Sequence, residues 1–204
     1  MTADPVPALM IDAMTESTPS TFAGRLLVGA SGSAGVAFLP MFLSALRAEF
    51  TGTVTVLMTH TATRFLPAST MALFAERVVS GDDAASWAGD NHVSLADGHD
   101  LLVVLPATAN LLSAVAAGAA PNLLSATVLE FASPAVFYPV MSGQMWATPS
   151  VRRNVGQIRA DGHDVIDPGV GPRYDVSLRR FVTGPTPPAP GQFVERVRAG
   201  LASR

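Results

Sequence analysis

The sequence predicts an α/β domain in which helices cover both faces of an open, mostly parallel sheet. Segments with the apolar or β-branched composition of strands alternate along the chain with segments in which apolar residues recur at helical spacing. Such alternation favours parallel strands that are joined by helical crossovers. The run Leu101 to Leu105 is apolar at every position, as expected for a strand that is buried on both faces of a parallel sheet.

The elements follow one another in a regular order. Arg25 to Ala30 is a short apolar strand, and Ala34 to Phe50 is predicted to be helical because its apolar residues share one face. Thr53 to Thr59 is rich in β-branched residues and predicts the second strand. Beyond the strand at 101–105, the pattern predicts helices at 109–118, 122–131 and 149–161 and strands at 135–139 and 165–166.

We expect one domain over residues 23–183, with an additional segment at each end. Residues 1–22 mix Pro, Thr, Ser and Asp with a few apolar residues and show no clear period, which predicts an extension that is loosely ordered or packs on a neighbour. Residues 184–204 begin with a proline-rich stretch that should be extended, and a short helix is predicted over Gln192 to Leu201. A chain of 204 residues, 49% of them hydrophobic, can bury one sizeable core.

Composition excludes several kinds of partner. The formal charge of -3 and the lack of any Arg cluster larger than a pair argue against nucleic acid, whose binding relies on a basic face. The longest apolar runs, 101–105 and 115–120, are far shorter than the roughly 20 residues that span a bilayer. No positive residue precedes the short apolar run 8–11, as it would in a secretory signal. We therefore expect a soluble, cytoplasmic protein.

All 13 basic residues are arginines, and the chain contains neither lysine nor cysteine. The missing cysteine excludes a disulfide framework, a thiolate metal site and a thiol nucleophile. The missing lysine excludes a Schiff base with a carbonyl compound and a Walker-type phosphate loop. No metal site is predicted.

A loop of small residues, Gly29 to Gly35, leaves the first predicted strand and opens the first helix. Its glycines would let the backbone approach a phosphate, and the serine hydroxyls and the free N–H groups of a helix start could donate to that phosphate. A tight turn without a ligand would use similar residues, so both interpretations stay open. The second strand ends at Thr59 to Thr61 without the Asp or Glu that nicotinamide dinucleotide folds place there for the ribose.

Three separated pieces of the chain match a known family in order and spacing. They are His92, Pro106 to Asn110, and Pro139 to Trp146. With them the chain resembles the flavin-containing cysteine decarboxylases, which act on pantothenoylcysteine or on peptides that end in cysteine. That family has a histidine ahead of a Pro-Ala-Ser-Ala-Asn stretch and, further along, a Pro-x-Met-Asn-x-x-Met-Trp stretch. Ser142 stands where the family has asparagine.

The resemblance covers roughly Arg25 to Val155 and implies a Rossmann-like or flavodoxin-like fold that binds a flavin. The implied cofactor is FMN, with FAD as the alternative because an adenylate could extend past the phosphate loop. The residues that the resemblance assigns to the flavin are Gly32, Ser33, Ala34, Thr59, Thr61, Phe65, Thr108, Ala109, Asn110, Leu111 and Val140. Thr108 and Asn110 would also serve as ordinary helix caps, and the two roles are compatible.

The resemblance makes His92 the catalytic residue. An imidazole titrates near neutral pH, so it can take a proton from a thiol or a carbon centre without strong tuning of its pKa. Since His92 lies ahead of the buried strand, we expect a loop to present it at the edge of the sheet. His60, His99 and His163 have no such match, and we interpret them as ordinary surface or capping residues.

The third piece bears on the substrate. The resemblance assigns Ser142 and Met145 to substrate binding, with Ser142 at the substrate carboxylate and Met145 beside the flavin. Serine is shorter than the family asparagine, so backbone N–H groups or Arg173 would have to compensate. Met145 could instead be ordinary packing, because methionine fills irregular gaps in many cores.

The region after the third piece separates two subfamilies. Pantothenoylcysteine decarboxylases carry a cysteine in a glycine-rich flap, and residues 167–175 have none. The chain therefore resembles the peptide decarboxylases more closely. The glycines and the single proline of Gly169 to Thr183 predict a flexible loop that closes over the peptide end.

These resemblances imply oxidative decarboxylation of the C-terminal cysteine of a ribosomally made precursor peptide, with an enethiolate as product. Members of the family form trimers that assemble into dodecamers, which implies self-association of this chain. Three other functions stay open. They are a phosphopantothenoylcysteine decarboxylase, a flavin prenyltransferase, which shares the opening Gly29 to Gly32, and a non-catalytic flavin-binding regulator, to which Ser142 points.

Overall fold

Parallel strands form the centre of the molecule, as the sequence predicts. The computed structural model of the chain describes residues 21–80, 89–175 and 178–203. The strands of the main sheet are β1 Arg25–Ala30, β2 Thr53–Met58, β3 Arg77–Val79, β4 Leu101–Ala107, β5 Val136–Pro139 and β6 Asp164–Val165. In the part of the chain that is described, their order is β3-β2-β1-β4-β5-β6, and every neighbouring pair is parallel. The predicted fold class is confirmed.

Helices connect these strands and cover both faces of the sheet. They are a 3-10 helix Ala34–Phe38, α1 Leu39–Arg47, α2 His60–Phe65, α3 Ala68–Met71, α4 His92–Asp97, α5 Ala109–Ala116, α6 Leu123–Glu130, α7 Gly143–Ala147, α8 Pro149–Ala160 and α9 Pro190–Ala202. The sequence patterns missed α2, α3, α4 and α7, since each spans fewer than two turns and is too short to show a helical period. None of the described helices combines the length and the apolar character needed to cross a bilayer.

Side chains of the central strands alternate between two apolar cores. Leu101 and Val103 of β4 pack into the core that α1 and α9 cover, whereas Leu102 and Val104 pack into the core beneath α4, α5, α6 and α8. Neighbouring residues of a strand point to opposite faces. A sheet with helices on both faces therefore needs apolar residues at every position of β4, which is the pattern that the sequence shows.

The helix predicted over Ala34 to Phe50 is divided in two. Pro40 is the second residue of α1 and has no N–H to donate to the carbonyl of Val36. The turn before it is accordingly a 3-10 helix. The α-helix ends at Arg47, and Phe50 forms an isolated parallel bridge with Phe22.

The predicted flexible loop Gly169 to Thr183 belongs largely to an antiparallel hairpin, so its predicted conformation is wrong. The hairpin consists of β7 Gly169–Asp175 and β8 Arg180–Thr186. Tyr174 and Phe181 lie opposite each other with ring centroids 5.7 Å apart, a cross-strand aromatic pair that supports the ladder. Pro172, which suggested a loop, is tolerated because both strands of a two-stranded hairpin are edge strands.

The carboxyl end of the chain packs into the core. Strand β8 runs across the predicted boundary between residues 183 and 184, and α9 begins at Pro190 rather than Gln192. Phe193 of α9 is fully buried, with its ring centroid 5.5 Å from that of Phe42 and 5.9 Å from that of Tyr138. At the other end of the chain, residues 1–20 of the predicted extension 1–22 lie outside the described residues.

We predict that Phe193→Ala lowers the free energy of unfolding by about 3–5 kcal/mol, because it empties a site that is enclosed on all sides. Urea unfolding followed by circular dichroism measures this loss. Glu195→Ala, an exposed change on the same helix, is the matched control and should stay within about 0.5 kcal/mol of the unaltered chain. Equal losses in the two variants would contradict the packing of α9 described above.

Candidate ligand site at the carboxyl edge of the sheet

A cavity of about 520 Å³ lies at the carboxyl edge of the main sheet. Its walls come from the segments that follow β1, β2, β4 and β5 and from the starts of α5, α6 and α7. The residues that line it are Ser31, Gly32, Ser33, Thr59, Thr61, Thr108, Ala109, Asn110, Leu111, Ala114, Asn122, Val140, Met141 and Met145. Strands β1 and β4 are neighbours in the sheet, and the strand order reverses between them. Open parallel sheets bind their ligands at such a point.

Ser31 joins the two loops that leave β1 and β4. Its side chain is buried, and its Oγ donates to the carbonyl of Pro106 at 2.8 Å. The same Oγ accepts from the backbone N–H of Thr108 at 2.9 Å and lies 3.0 Å from Thr108 Oγ1. The backbone N–H of Ser31 also donates to the Pro106 carbonyl, at 3.1 Å. The peptide bond between Leu105 and Pro106 is cis.

One end of the cavity is rich in hydroxyl groups that cap helices. Ser33 Oγ accepts from the N–H of Gly35 at 3.2 Å, and Thr59 Oγ1 and Thr108 Oγ1 accept in the same way at the starts of α2 and α5. A hydroxyl that accepts from a backbone N–H keeps its own hydrogen for another acceptor. Together with the start of α5, whose helix dipole favours negative charge, this end suits a phosphate group.

Gly32 allows close packing in the loop Gly29 to Gly35 that follows β1. A Cβ atom at this position would lie 2.4 Å from Thr61 Cβ and 3.0 Å from the backbone carbonyl carbon of Thr61. Neither atom belongs to the flexible end of a side chain, so the loop after β1 or the start of α2 would have to move. Both interpretations of the loop therefore contribute: the turn needs glycine for packing, and its hydroxyls face the cavity.

The other end of the cavity is apolar. Leu111 and Ala114, one turn apart on α5, form one side, and Val140, Met141 and Met145 form the other. Gly143, the first residue of α7, would place a Cβ 3.2 Å from Pro185 Cδ, so the hairpin of β7 and β8 lies against this end. No residue on the described lining is cationic.

The structure brings most of the predicted binding residues together. Those that line the cavity are Gly32, Ser33, Thr59, Thr61, Thr108, Ala109, Asn110, Leu111, Val140 and Met145. Ala34, Phe65 and Ser142 are not on its lining. The Phe65 side chain is half exposed on α2. Ser142 caps α7 by accepting from the N–H of Met145 at 3.3 Å.

The sequence analysis missed four lining residues, Ser31, Ala114, Asn122 and Met141. Ala114 follows Asn110 and Leu111 by about one turn, so the predicted helix already put it on their face. Asn122 stands three residues ahead of Ser125 and directly before an apolar helix, which is the pattern of a capping pair. Ser31 belongs to the predicted loop Gly29 to Gly35, but its contacts with Pro106 and Thr108 could not be predicted because they join segments that are distant in the sequence.

His92 is the first residue of α4 rather than part of a loop, which corrects the predicted conformation. Asn91 caps this helix: its side-chain oxygen accepts from the N–H of Ser94 at 3.0 Å. Because α4 leads back to the amino end of β4, its first residue points toward the carboxyl edge of the sheet. The imidazole of His92 is exposed and does not line the cavity of its own chain.

His99 lies at the opposite edge of the sheet, and both of its ring nitrogens are hydrogen-bonded within the protein. Its Nδ1 lies 2.7 Å from the carbonyl of Leu95 and its Nε2 lies 2.8 Å from Thr55 Oγ1. A carbonyl can only accept, so Nδ1 carries the proton and Nε2 accepts from the threonine hydroxyl. Burial lowers the pKa of His99, and the charges of Arg77 and Arg25 add to this effect.

His163 likewise has a structural partner. Its Nδ1 accepts from the backbone N–H of Ala135 at 3.1 Å, and burial lowers its pKa. In the residues that the structure describes, no group of three or more His, Asp or Glu side chains is arranged to hold a metal ion.

A doubly wound sheet with a hydroxyl-lined cavity at its β1–β4 switch point is the arrangement in which many α/β proteins bind phosphorylated ligands. Comparison with known proteins identifies the family: residues 14–176 match the family model described as Flavoprotein. The chain belongs to the flavoprotein family.

Two relatives and one solved structure illustrate the similarity. The chain is 35% identical to mersacidin decarboxylase of Bacillus sp. (strain HIL-Y85/54728) over 144 residues, 71% of this chain and 73% of that protein. It is 40% identical over 118 residues to the coenzyme A biosynthesis bifunctional protein CoaBC of Mycobacterium tuberculosis, but spans only 28% of that protein. The structure of SpaF, described as an FMN-dependent cysteine decarboxylase, superposes with a TM-score of 0.68 at 30% identity, covering 88% of this chain and 95% of SpaF.

We predict that the free energy of unfolding decreases between pH 7 and pH 5, in part through His99. The unfolded chain binds a proton near the ordinary pKa of about 6.5, whereas the folded chain binds it only at a lower pH. The stabilisation is therefore complete above pH 6.5 and is lost as the pH falls through the lowered pKa. Urea unfolding at several pH values should show a shallower decrease for His99→Gln. An unchanged slope in His99→Gln would contradict the assignment.

Proposed function

We propose that the chain is an FMN-dependent decarboxylase that acts on the C-terminal cysteine of a precursor peptide. The observation that supports this most directly is the cavity at the β1–β4 switch point, with hydroxyl groups at one end and apolar side chains at the other. A ligand with a phosphate at one end and a flat, largely apolar ring at the other, joined by a polar chain, would match these two ends. The relation to mersacidin decarboxylase and SpaF supports the choice of reaction and of cofactor.

The residues present fit such a cofactor. Gly32 has no side chain, so the loop after β1 can lie close to Thr61. The hydroxyls of Ser33, Thr59 and Thr61 would donate to a phosphate. Leu111, on α5, would border the ring. FMN, when bound, would supply a two-electron oxidant for the cysteine side chain. An adenylate beyond the phosphate would make the cofactor FAD, and the mass of the released flavin distinguishes the two.

His92 would act as the base in the reaction. It would take the thiol proton of the substrate cysteine as a hydride equivalent leaves the adjacent carbon, so that the side chain becomes a thioaldehyde. That group accepts the electron pair released when the neighbouring carboxylate departs as carbon dioxide, which leaves an enethiolate. The peptide would then have lost carbon dioxide and two hydrogens. Met145, on the wall formed by α7, would border the substrate, with the hairpin of β7 and β8 beside it. Ser142, which caps the same helix, would contact the substrate from just outside the described lining.

Self-association would complete the site. The imidazole of His92 is exposed and outside the cavity of its own chain, and a neighbouring copy would enclose it. Phe38, Met41 and Leu73 carry large apolar side chains that are more than half exposed, and contact with another copy would cover them. We propose a trimer with flavin at its subunit boundaries, which could assemble further into a dodecamer. The enzyme would act where its peptide is made, in the cytoplasm.

The proposed reaction predicts a specific change in mass. The purified, flavin-loaded protein, mixed with a synthetic peptide ending in cysteine, should convert it to a product lighter by carbon dioxide and two hydrogens. His92→Asn should reduce the rate by at least about 100-fold while flavin binding persists, because general acid–base catalysis contributes that much. A peptide ending in serine is the matched control and should not react.

Other outcomes of the same experiment favour other functions. Conversion of phosphopantothenoylcysteine in preference to every peptide would favour a role in coenzyme A synthesis, which the relation to CoaBC suggests and the missing flap cysteine opposes. Bound flavin without turnover of any cysteine substrate would refute the proposed decarboxylation and leave a flavin prenyltransferase or a flavin-binding regulator.

Gly32→Ala should weaken FMN binding by at least about tenfold, which corresponds to roughly 1.4 kcal/mol. The added Cβ must displace Thr61 and with it the hydroxyl-rich end of the cavity. Titration of the flavin-free protein with FMN, followed by flavin fluorescence, measures the dissociation constant. Gly156→Ala, where an added Cβ meets nothing within 4 Å, is the control and should bind FMN normally. Unchanged affinity in Gly32→Ala would place the phosphate elsewhere.

A further inference from the structure

Asn122 lines the cavity together with Leu111 and Ala114 of α5. It is the N-cap of α6 and is partly buried. Helices α5 and α6 pack against each other. The Asn122 carboxamide adds polar hydrogens beside the hydrocarbon side chains of Leu111 and Ala114.

The side-chain oxygen of Asn122 is fully engaged by its own helix. Oδ1 accepts from the backbone N–H of Ser125 at 3.0 Å and lies 3.3 Å from Ser125 Oγ. The backbone N–H of Asn122 donates to Ser125 Oγ at 3.2 Å, which completes a reciprocal capping box. Ser125 is completely buried, so water cannot replace either contact.

This arrangement fixes which way the carboxamide points. A rotated amide would direct its NH₂ group at the N–H of Ser125, and two donors would face each other. The NH₂ group therefore points away from α6. Among the described residues, no hydrogen bond from Asn122 Nδ2 to a protein acceptor is formed, and the side chain borders the cavity. Asn122 thus presents an oriented donor whose direction does not depend on a ligand.

The cavity offers few alternatives for stabilising an electron-rich ligand. Its described lining carries no cationic side chain, and its hydroxyl groups cluster at the end formed by the loops after β1 and β2. At the apolar end, an added negative charge on a ligand can be met only by neutral donors. A fixed donor in a poorly solvated wall interacts more strongly than one in water, and it costs no reorganisation.

We propose that the Asn122 carboxamide donates a hydrogen bond to a carbonyl or ring-nitrogen acceptor of the flavin and stabilises the reduced, more electron-rich form over the oxidised form. The inference rests on the proposed flavin site but not on the identity of the peptide. Its consequence is a raised flavin reduction potential, which favours the withdrawal of electrons from a substrate. The NH₂ group of Asn122 thus adjusts the flavin reduction potential, while its backbone N–H and side-chain oxygen cap the start of α6.

The two roles of Asn122 can be separated by substitution. Asn122→Asp keeps an oxygen that accepts from Ser125 and replaces the NH₂ group by a second oxygen. Asn122→Ser keeps a capping hydroxyl without adding charge, on a side chain too short to bring its hydrogen to the position of Nδ2. In both flavin-loaded variants, the preference for reduced over oxidised FMN should fall at least tenfold. For a two-electron couple this is a decrease of about 30 mV in the midpoint potential. Spectroscopic titration against a reference dye, without peptide, measures it.

Ser125→Ala is the matched control, because it removes half of the capping box and leaves the carboxamide in place. It should lower the melting temperature without changing the midpoint potential. An unchanged potential in both Asn122 variants would overturn the proposal, and so would an equal shift in Ser125→Ala, which would trace the effect to α6 itself. A wild-type protein that binds no flavin would instead contradict the proposed function, so the two failures are distinguishable.

Discussion

The hydrogen bonds of Ser31 hold together the two loops on which the cavity depends. Strands β1 and β4 lie side by side, but the chain leaves them toward different neighbours, so a crevice opens between their ends. Ser31 Oγ spans this crevice by donating to the Pro106 carbonyl and accepting from the Thr108 N–H. Both partners belong to the loop after β4. These bonds therefore fix the position of the hydroxyl-rich loop after β1 relative to the start of α5. The lining residues of both loops are held in place by this contact.

Strand and helix positions in the core could be predicted because they depend on local pattern. The apolar run Leu101 to Leu105 already required helices on both faces, and the structure adds only Pro106 and Ala107 to β4. The hairpin of β7 and β8 escaped prediction, since its prolines and glycines are typical of loops and its pairing depends on contacts such as Tyr174 with Phe181. Tertiary contact outweighed local preference there.

The site was predicted to the extent that it follows from strand ends. Residues placed directly after β1, β2 and β4 meet at one edge in any parallel sheet, so Ser33, Thr59 and Thr108 could be grouped from the sequence. Ser142 and His92 could not be placed in the same way, because a strand end does not determine how far a side chain lies from a cavity. Ser142 proves to be a helix cap, and His92 opens a helix whose pattern was too short to recognise.

The same side chains start helices and form the wall of the cavity. Ser33, Thr59, Thr108 and Asn122 each accept a hydrogen bond from a backbone N–H that would otherwise lack a partner. The positions of their side-chain oxygens are then fixed by the helix rather than by a ligand, which pre-organises the wall. Replacing any of them by alanine removes a cap and a donor together, so a loss of binding alone could reflect either. Isosteric changes that keep the accepting oxygen are needed to separate stability from ligand contact in this chain.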